Sequence, residues 1–93
     1  MSYNLLVTYD LYKPGQDYTA IHEKIKSLGR WYHAQLSVFY VHTALSPVQA
    51  HDAVASVMDA NDKLIVADLK AIIIAPAAQG DIDGINAVWN LAA

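Results

Sequence analysis

Cysteine is absent from this 93-residue sequence, which removes disulfide stapling, a thiolate-held zinc or iron–sulfur site and a thiol nucleophile from consideration. With no disulfide framework to point outward, the cytoplasm is the expected location. Cations are also few: six Lys and Arg stand against nine Asp and Glu, a formal net charge of -3, whereas proteins that grip many phosphates usually carry a basic excess. Strong nonspecific nucleic-acid binding is therefore disfavoured. Long apolar runs are missing too, since the longest, residues 71–78, is far short of the roughly 20 residues a membrane-spanning helix needs. Met1 to Asn4 carry no basic stretch, and Thr8 and Asp10 interrupt the apolar residues that follow, so neither a signal peptide nor a membrane contact is expected. Glycine and proline number only four and three, and no repeat, low-complexity tract or linker divides the chain. One domain over residues 1–93 is expected.

What is present is 55% hydrophobic and patterned. Residues 3–10 (YNLLVTYD) alternate, with Leu5, Val7 and Tyr9 on one face and Leu6, Thr8 and Asp10 on the other, and so predict a first strand. Lys13-Pro14-Gly15-Gln16 signals a turn, and Asp17 can cap a helix whose apolar residues Tyr18, Ile21, Ile25 and Leu28 share one side; Gly29 is the expected stop. Residues 31–43 (WYHAQLSVFYVHT) are rich in aromatic and β-branched types but too long for one ordinary strand, so a hairpin folding near 35–37 is predicted. Ser46-Pro47-Val48-Gln49 has the pattern of a capping box with proline at the first helical position. A second helix follows, with Ala50, Ala53, Val54, Val57 and Met58 as its stripe and Asn61 at its end. Residues 63–69 (KLIVADL) predict a fourth strand.

The order β-α-β-β-α-β is that of an α+β, ferredoxin-like domain, whose right-handed crossovers give an antiparallel sheet of order 4-1-3-2. Residues 1–69 form this core. Residues 70–93 are an apolar extension: Lys70 to Pro76 suggest a fifth strand, and Ile82, Ile85, Val88 and Trp89 a short helix starting near Asp81. A four-stranded sheet with both helices on one side leaves its other face bare, and this extension is expected to cover it or to contact a second copy of the chain. A homodimer is the expected assembly.

Two segments carry a family likeness. Strand one ends in Tyr9-Asp10-Leu11, and Gln35-Leu36-Ser37-Val38-Phe39 leads into the third strand; in both respects the chain resembles the CRISPR-associated protein two family. It resembles still more the short bacterial proteins called SinR-like, with which Lys13-Pro14-Gly15-Gln16, Trp31 with His33, and Asn61-Asp62-Lys63-Leu64 are also shared. The likeness spans roughly residues 3–69. It implies a ferredoxin-like homodimer in which the strand-one aspartates of two copies approach each other, and, in nuclease members, an aspartate that holds Mg²⁺ or Mn²⁺. Carried onto this sequence, Asp10 is the metal ligand and, with Ser37, the catalytic candidate; Tyr9, His33, Gln35 and Tyr40 are the binding candidates around them. His33 stands where the family commonly has arginine, and Tyr40 where it has glutamate.

Physical chemistry sets limits on these expectations. Asp10, Ser37 and the Asn61-Asp62 turn should share one rim of the sheet, but a hard cation needs several oxygen ligands, so one carboxylate per chain serves only if symmetry supplies another. Asp10 alone is as readily a turn residue. The four histidines show no metal-ligand spacing, and His42 and Asp68 fall on the opposite rim, where they could meet near Tyr3. Trp31, Tyr32, His33 and Tyr40 could stack a nucleobase, though aromatics in strands more often pack and no Lys or Arg interleaves them. Lys13, Lys24, Lys26 and Arg30 could form a modest basic patch around the first helix. Two functions are left: a small noncatalytic homo-oligomeric binding or interaction module, or a divalent-metal-dependent phosphodiesterase acting on RNA or DNA. The acidic balance and the missing arginine favour the first.

Overall fold

The computed structural model describes residues 2–12, 18–76 and 78–89. Its elements are β1 (Tyr3–Asp10), α1 (Thr19–Lys26), β2 (Gly29–Gln35), β3 (Val38–Thr43), α2 (Pro47–Ala55), β4 (Lys63–Asp68) and α3 (Gln79–Val88). The fold is α+β, with one antiparallel four-stranded sheet of order β2-β3-β1-β4, which read from the other edge is 4-1-3-2. β1 is central. It pairs with β3 from Tyr3 opposite Thr43 to Thr8 opposite Val38, and with β4 from Leu5 opposite Asp68 to Asp10 opposite Lys63.

The two-residue alternation of β1 divides the molecule. Leu5, Val7 and Tyr9 are buried on one face, where α1 and α2 bring Ile21, Ile25 and Val54 against Phe39 and Val41 of β3. This is the main core. Leu6 and Thr8 point to the opposite face, which α3 and the segment 69–76 cover in part. There Tyr40 of β3 meets Trp89 edge-on, ring centroids 5.6 Å apart.

The capping box forms as the sequence predicts: Ser46 Oγ accepts from Gln49 N–H at 3.2 Å and Ser46 N–H donates to Gln49 Oε1 at 3.0 Å, satisfying two donors that a helix start otherwise leaves open. α2 ends at Ala55 rather than near Asn61, because the backbone tightens there into three-residue hydrogen bonds, Val57 N–H to Val54 and Met58 N–H to Ala55. Gly29 is not the stop of α1 but the first residue of β2; a Cβ at this position would run into the backbone carbonyl of His42 on the paired strand. The hairpin turns at Leu36-Ser37, with a bulge between His33 and Gln35 that leaves Ala34 without an opposite residue.

The expected fifth strand is not formed. Residues 69–76 lie outside any strand: Leu69 N–H still donates to the Asn4 carbonyl at 2.8 Å, but beyond it the chain leaves the end of β4 and crosses the outer face, so its backbone has no ladder to join. Lys13 to Asp17, with the predicted turn and cap, lie outside the described residues. No described helix is long and apolar enough to cross a membrane.

Candidate functional site

The residues singled out by sequence fall on two sides of the sheet. Asp10 and Ser37 do reach one rim: Tyr9 N–H donates to the Ser37 carbonyl at 3.2 Å, and Asp10 stands opposite Lys63, next to the Asn61-Asp62 turn. Asp10 is exposed. Its neighbour Asp62 is engaged, with one carboxylate oxygen 2.8 Å from Tyr12 N–H and the other 2.9 Å from Asp59 N–H. Asp62 therefore ties the end of β1 to the α2–β4 turn. Among the described residues no three His, Asp or Glu side chains converge on a point where a metal would sit.

Tyr9 and His33 lie on the helix face, in a compact aromatic cluster with His22 of α1. The Tyr9 hydroxyl is 2.5 Å from His22 Nε2 and 3.3 Å from the Leu36 carbonyl. His33 stacks on Phe39, 4.1 Å between centroids at an interplanar angle of 7°, and its Nε2 lies 3.0 Å from the Leu36 carbonyl. The two imidazoles are 5.1 Å apart. Burial, then the proximity of His33 and Lys26, hold the His22 pKa below its ordinary value, because a charge there would be poorly solvated and would meet other cations. Burial also raises the Tyr9 phenol, with Tyr18 adding to the effect and a hydrogen bond to Ser37 opposing it. A neutral, hydrogen-bonded pair results. Trp31 shares this side; Lys26 Nζ lies 4.4 Å over its ring. The aromatic hairpin is thus no single stacking platform, because Trp31 and His33 face the helices while Tyr32 and Tyr40 face the other way.

Gln35 and Tyr40 belong to the outer face, where they line a cavity of about 610 Å³ between the sheet, α3 and residues 71–76. That volume lies within the few-hundred-to-thousand Å³ range of small-molecule sites. Thr8 contributes to the floor and Ile72 to the roof. At one wall the Tyr32 hydroxyl donates to Asp81 Oδ1 at 2.5 Å, and this bond raises the tyrosine pKa. Tyr40 is 1% exposed, and its hydroxyl is buried with no hydrogen-bond partner among the described residues. Burial alone drives its pKa well above the ordinary phenol value. Among the described residues the lining contains no Lys, Arg or His and one carboxylate, Asp81.

His42, expected near Asp68, has its Nδ1 2.9 Å from the Asn4 side-chain oxygen instead; burial and then Arg30 lower its pKa. Sequence reasoning missed the roles of His22, Tyr32 and Asp81. For His22 a signal existed, since it lies one position from Ile21 on the inward side of a helix; the Tyr32–Asp81 contact spans 49 residues and leaves no local trace. No family model, curated protein or solved structure matches this chain.

Proposed function

We propose that the chain is a small noncatalytic binding module that works as a homo-oligomer, built on the ferredoxin-like plan and related to the SinR-like proteins it resembles. The observation that carries this reading is exposed apolar surface: Ile65 of β4 is 63% exposed, and Ile73, in the segment that leaves β4 for the outer face, is 97% exposed. β4 is an edge strand with no neighbour beyond it, and residues 70–76 are a strand-like apolar sequence with no strand to join. An open edge and an unpaired apolar segment on the same chain are complementary, so two copies can satisfy each other reciprocally about a two-fold axis. Exposed apolar groups of this kind mark interaction surfaces.

The acidic balance supports an interaction role over phosphodiester chemistry, and Asp10 offers one carboxylate per chain where catalysis on phosphate calls for a held metal and cationic stabilisation. Light scattering on the purified protein at micromolar concentration is expected to return a dimer or larger assembly, and Ile73→Asp with Ile65→Asp a monomer. A monomeric parent protein sinks the reading. Incubation with labelled RNA and duplex DNA in Mn²⁺ or EDTA, beside Asp10→Ala, tests the other half: no cleavage is expected, and metal-dependent cleavage lost in Asp10→Ala overturns the noncatalytic assignment.

A further inference from the structure

We infer that the outer-face cavity binds a small molecule that joins an ammonium group to an apolar body, with Asp81 as the counter-charge. Asp81 is the one carboxylate among the described lining residues, and no Lys, Arg or His lines the cavity with it. Nor does it pair with a cation elsewhere among the described residues. Its Oδ1 accepts from the Tyr32 hydroxyl, which fixes the carboxylate at the wall, while no hydrogen bond among the described residues engages Oδ2. Both residues are half-buried, so a molecule in the cavity can reach them. A carboxylate held beside apolar surface forfeits part of its hydration, and a bound ammonium offsets that loss with a charge-assisted hydrogen bond.

The rest of the lining sets the body of the ligand. Ile72 and Ile74 line the cavity while Ile73 between them is exposed, and Ile85 of α3 adds to the same apolar wall. An anion would meet the charge of Asp81 with no cation among the described lining residues to offset it. Entry is open too: Ala71 to Ala75 make no backbone hydrogen bond among the described residues, so the roof can part from the sheet without breaking a ladder. Neither Asp81 nor Tyr32 lies on β4, so ligand binding and self-association stand or fall by separate measurements.

Three probes of one shape test it: 1-naphthylmethylamine (cation), 1-naphthalenemethanol (neutral) and 1-naphthoate (anion), each titrated into the full chain at neutral pH and fixed salt while backbone amide shifts are followed. Shifts are expected at Tyr32, Ile72, Asp81 and Ile85. The amine is expected to bind about fivefold tighter than the alcohol, the ratio a partly exposed ion pair gives at the upper end of its range, and naphthoate more weakly than either. In Asp81→Asn, which keeps an oxygen for the Tyr32 hydroxyl, the amine preference should vanish with alcohol affinity unchanged. In Asp83→Asn, which removes the same charge from an exposed residue outside the lining, it should persist; this separates local pairing from the general attraction of a chain of net charge -3. Absence of cavity shifts with the amine, equal affinities for amine and alcohol in the parent protein, a preference that survives Asp81→Asn, or one lost in Asp83→Asn each overturns the site. Naphthoate binding as tight as the amine overturns the ligand class.

Discussion

On the helix face Leu5, Val7, Phe39 and Val41 are wholly buried beneath α1 and α2, while on the outer face Leu6 and Thr8 open onto a cavity of about 610 Å³. These residues are neighbours on the same strands. The difference comes from what each face is covered with: two helices on one side, and one helix with an irregular segment on the other. A helix pair brings ridges of Ile and Val that fill the sheet surface, whereas a segment without regular structure cannot interdigitate to the density of a core. The dense core and the cavity thus lie on opposite faces of one sheet.

The most severe test of that division is truncation on each side. Phe39→Ala should cost about 3–5 kcal/mol in urea unfolding, and Leu6→Ala no more than about 2 kcal/mol, because a side chain at an existing void loses fewer contacts. Equal losses would show the outer face to be packed as tightly as the inner one. Next, Gly29→Ala forces a methyl group into the His42 carbonyl, a backbone atom held by the ladder, and should destabilise by about 2 kcal/mol. At Gly84→Ala the clash is with the Tyr32 ring. That side chain can swing and alanine favours the helix, so the loss should be smaller, with amide shifts at Tyr32 and Asp81 reporting the displaced ring.

The same edit made on both faces should then give opposite signs. Tyr9→Phe removes a hydroxyl bonded to His22 and Leu36 and should cost about 1 kcal/mol; Tyr40→Phe removes one with no partner among the described residues and should be neutral or stabilising by up to about 1 kcal/mol without ligand. The smallest effect is on pH. The folded pKa of His22 lies below the ordinary 6.5, so on acidification the unfolded chain takes up a proton that the native cluster refuses. Stability is therefore complete well above 6.5 and falls as pH drops below it toward the lower folded value. His22→Gln should flatten the slope in part, the remainder resting with His42, which is lowered likewise; an unchanged slope would remove His22 from the account.

Much of the inner face is legible in the amino-acid sequence. The capping box at Ser46 to Gln49, the turn at Leu36-Ser37 and the alternation of Leu5, Val7 and Tyr9 are local signals with local causes. The outer face is not, because its cavity depends on Asp81 meeting Tyr32 and on residues 69–76 leaving the sheet, contacts between distant parts of the chain. Of the binding candidates, His33 falls together with Gln35 and Tyr40 by proximity in sequence, yet strand geometry sends it to the helix face with Tyr9 and the other two to the outer face. Gly29 misleads for a similar reason: its need for space comes from His42 across the ladder, not from the helix before it.

The bulge at Ala34 has one more consequence. Losing a single residue from a strand ordinarily exchanges inside for outside along all that follows, which makes such a deletion among the most damaging edits a sheet can receive. Here His33 already faces Phe39 and Gln35 already faces Val38, so excising Ala34 would join two segments whose parity agrees. The hairpin thus carries a spare unit of length beside the cavity, and excising it would change that space while the strand keeps its inward and outward faces.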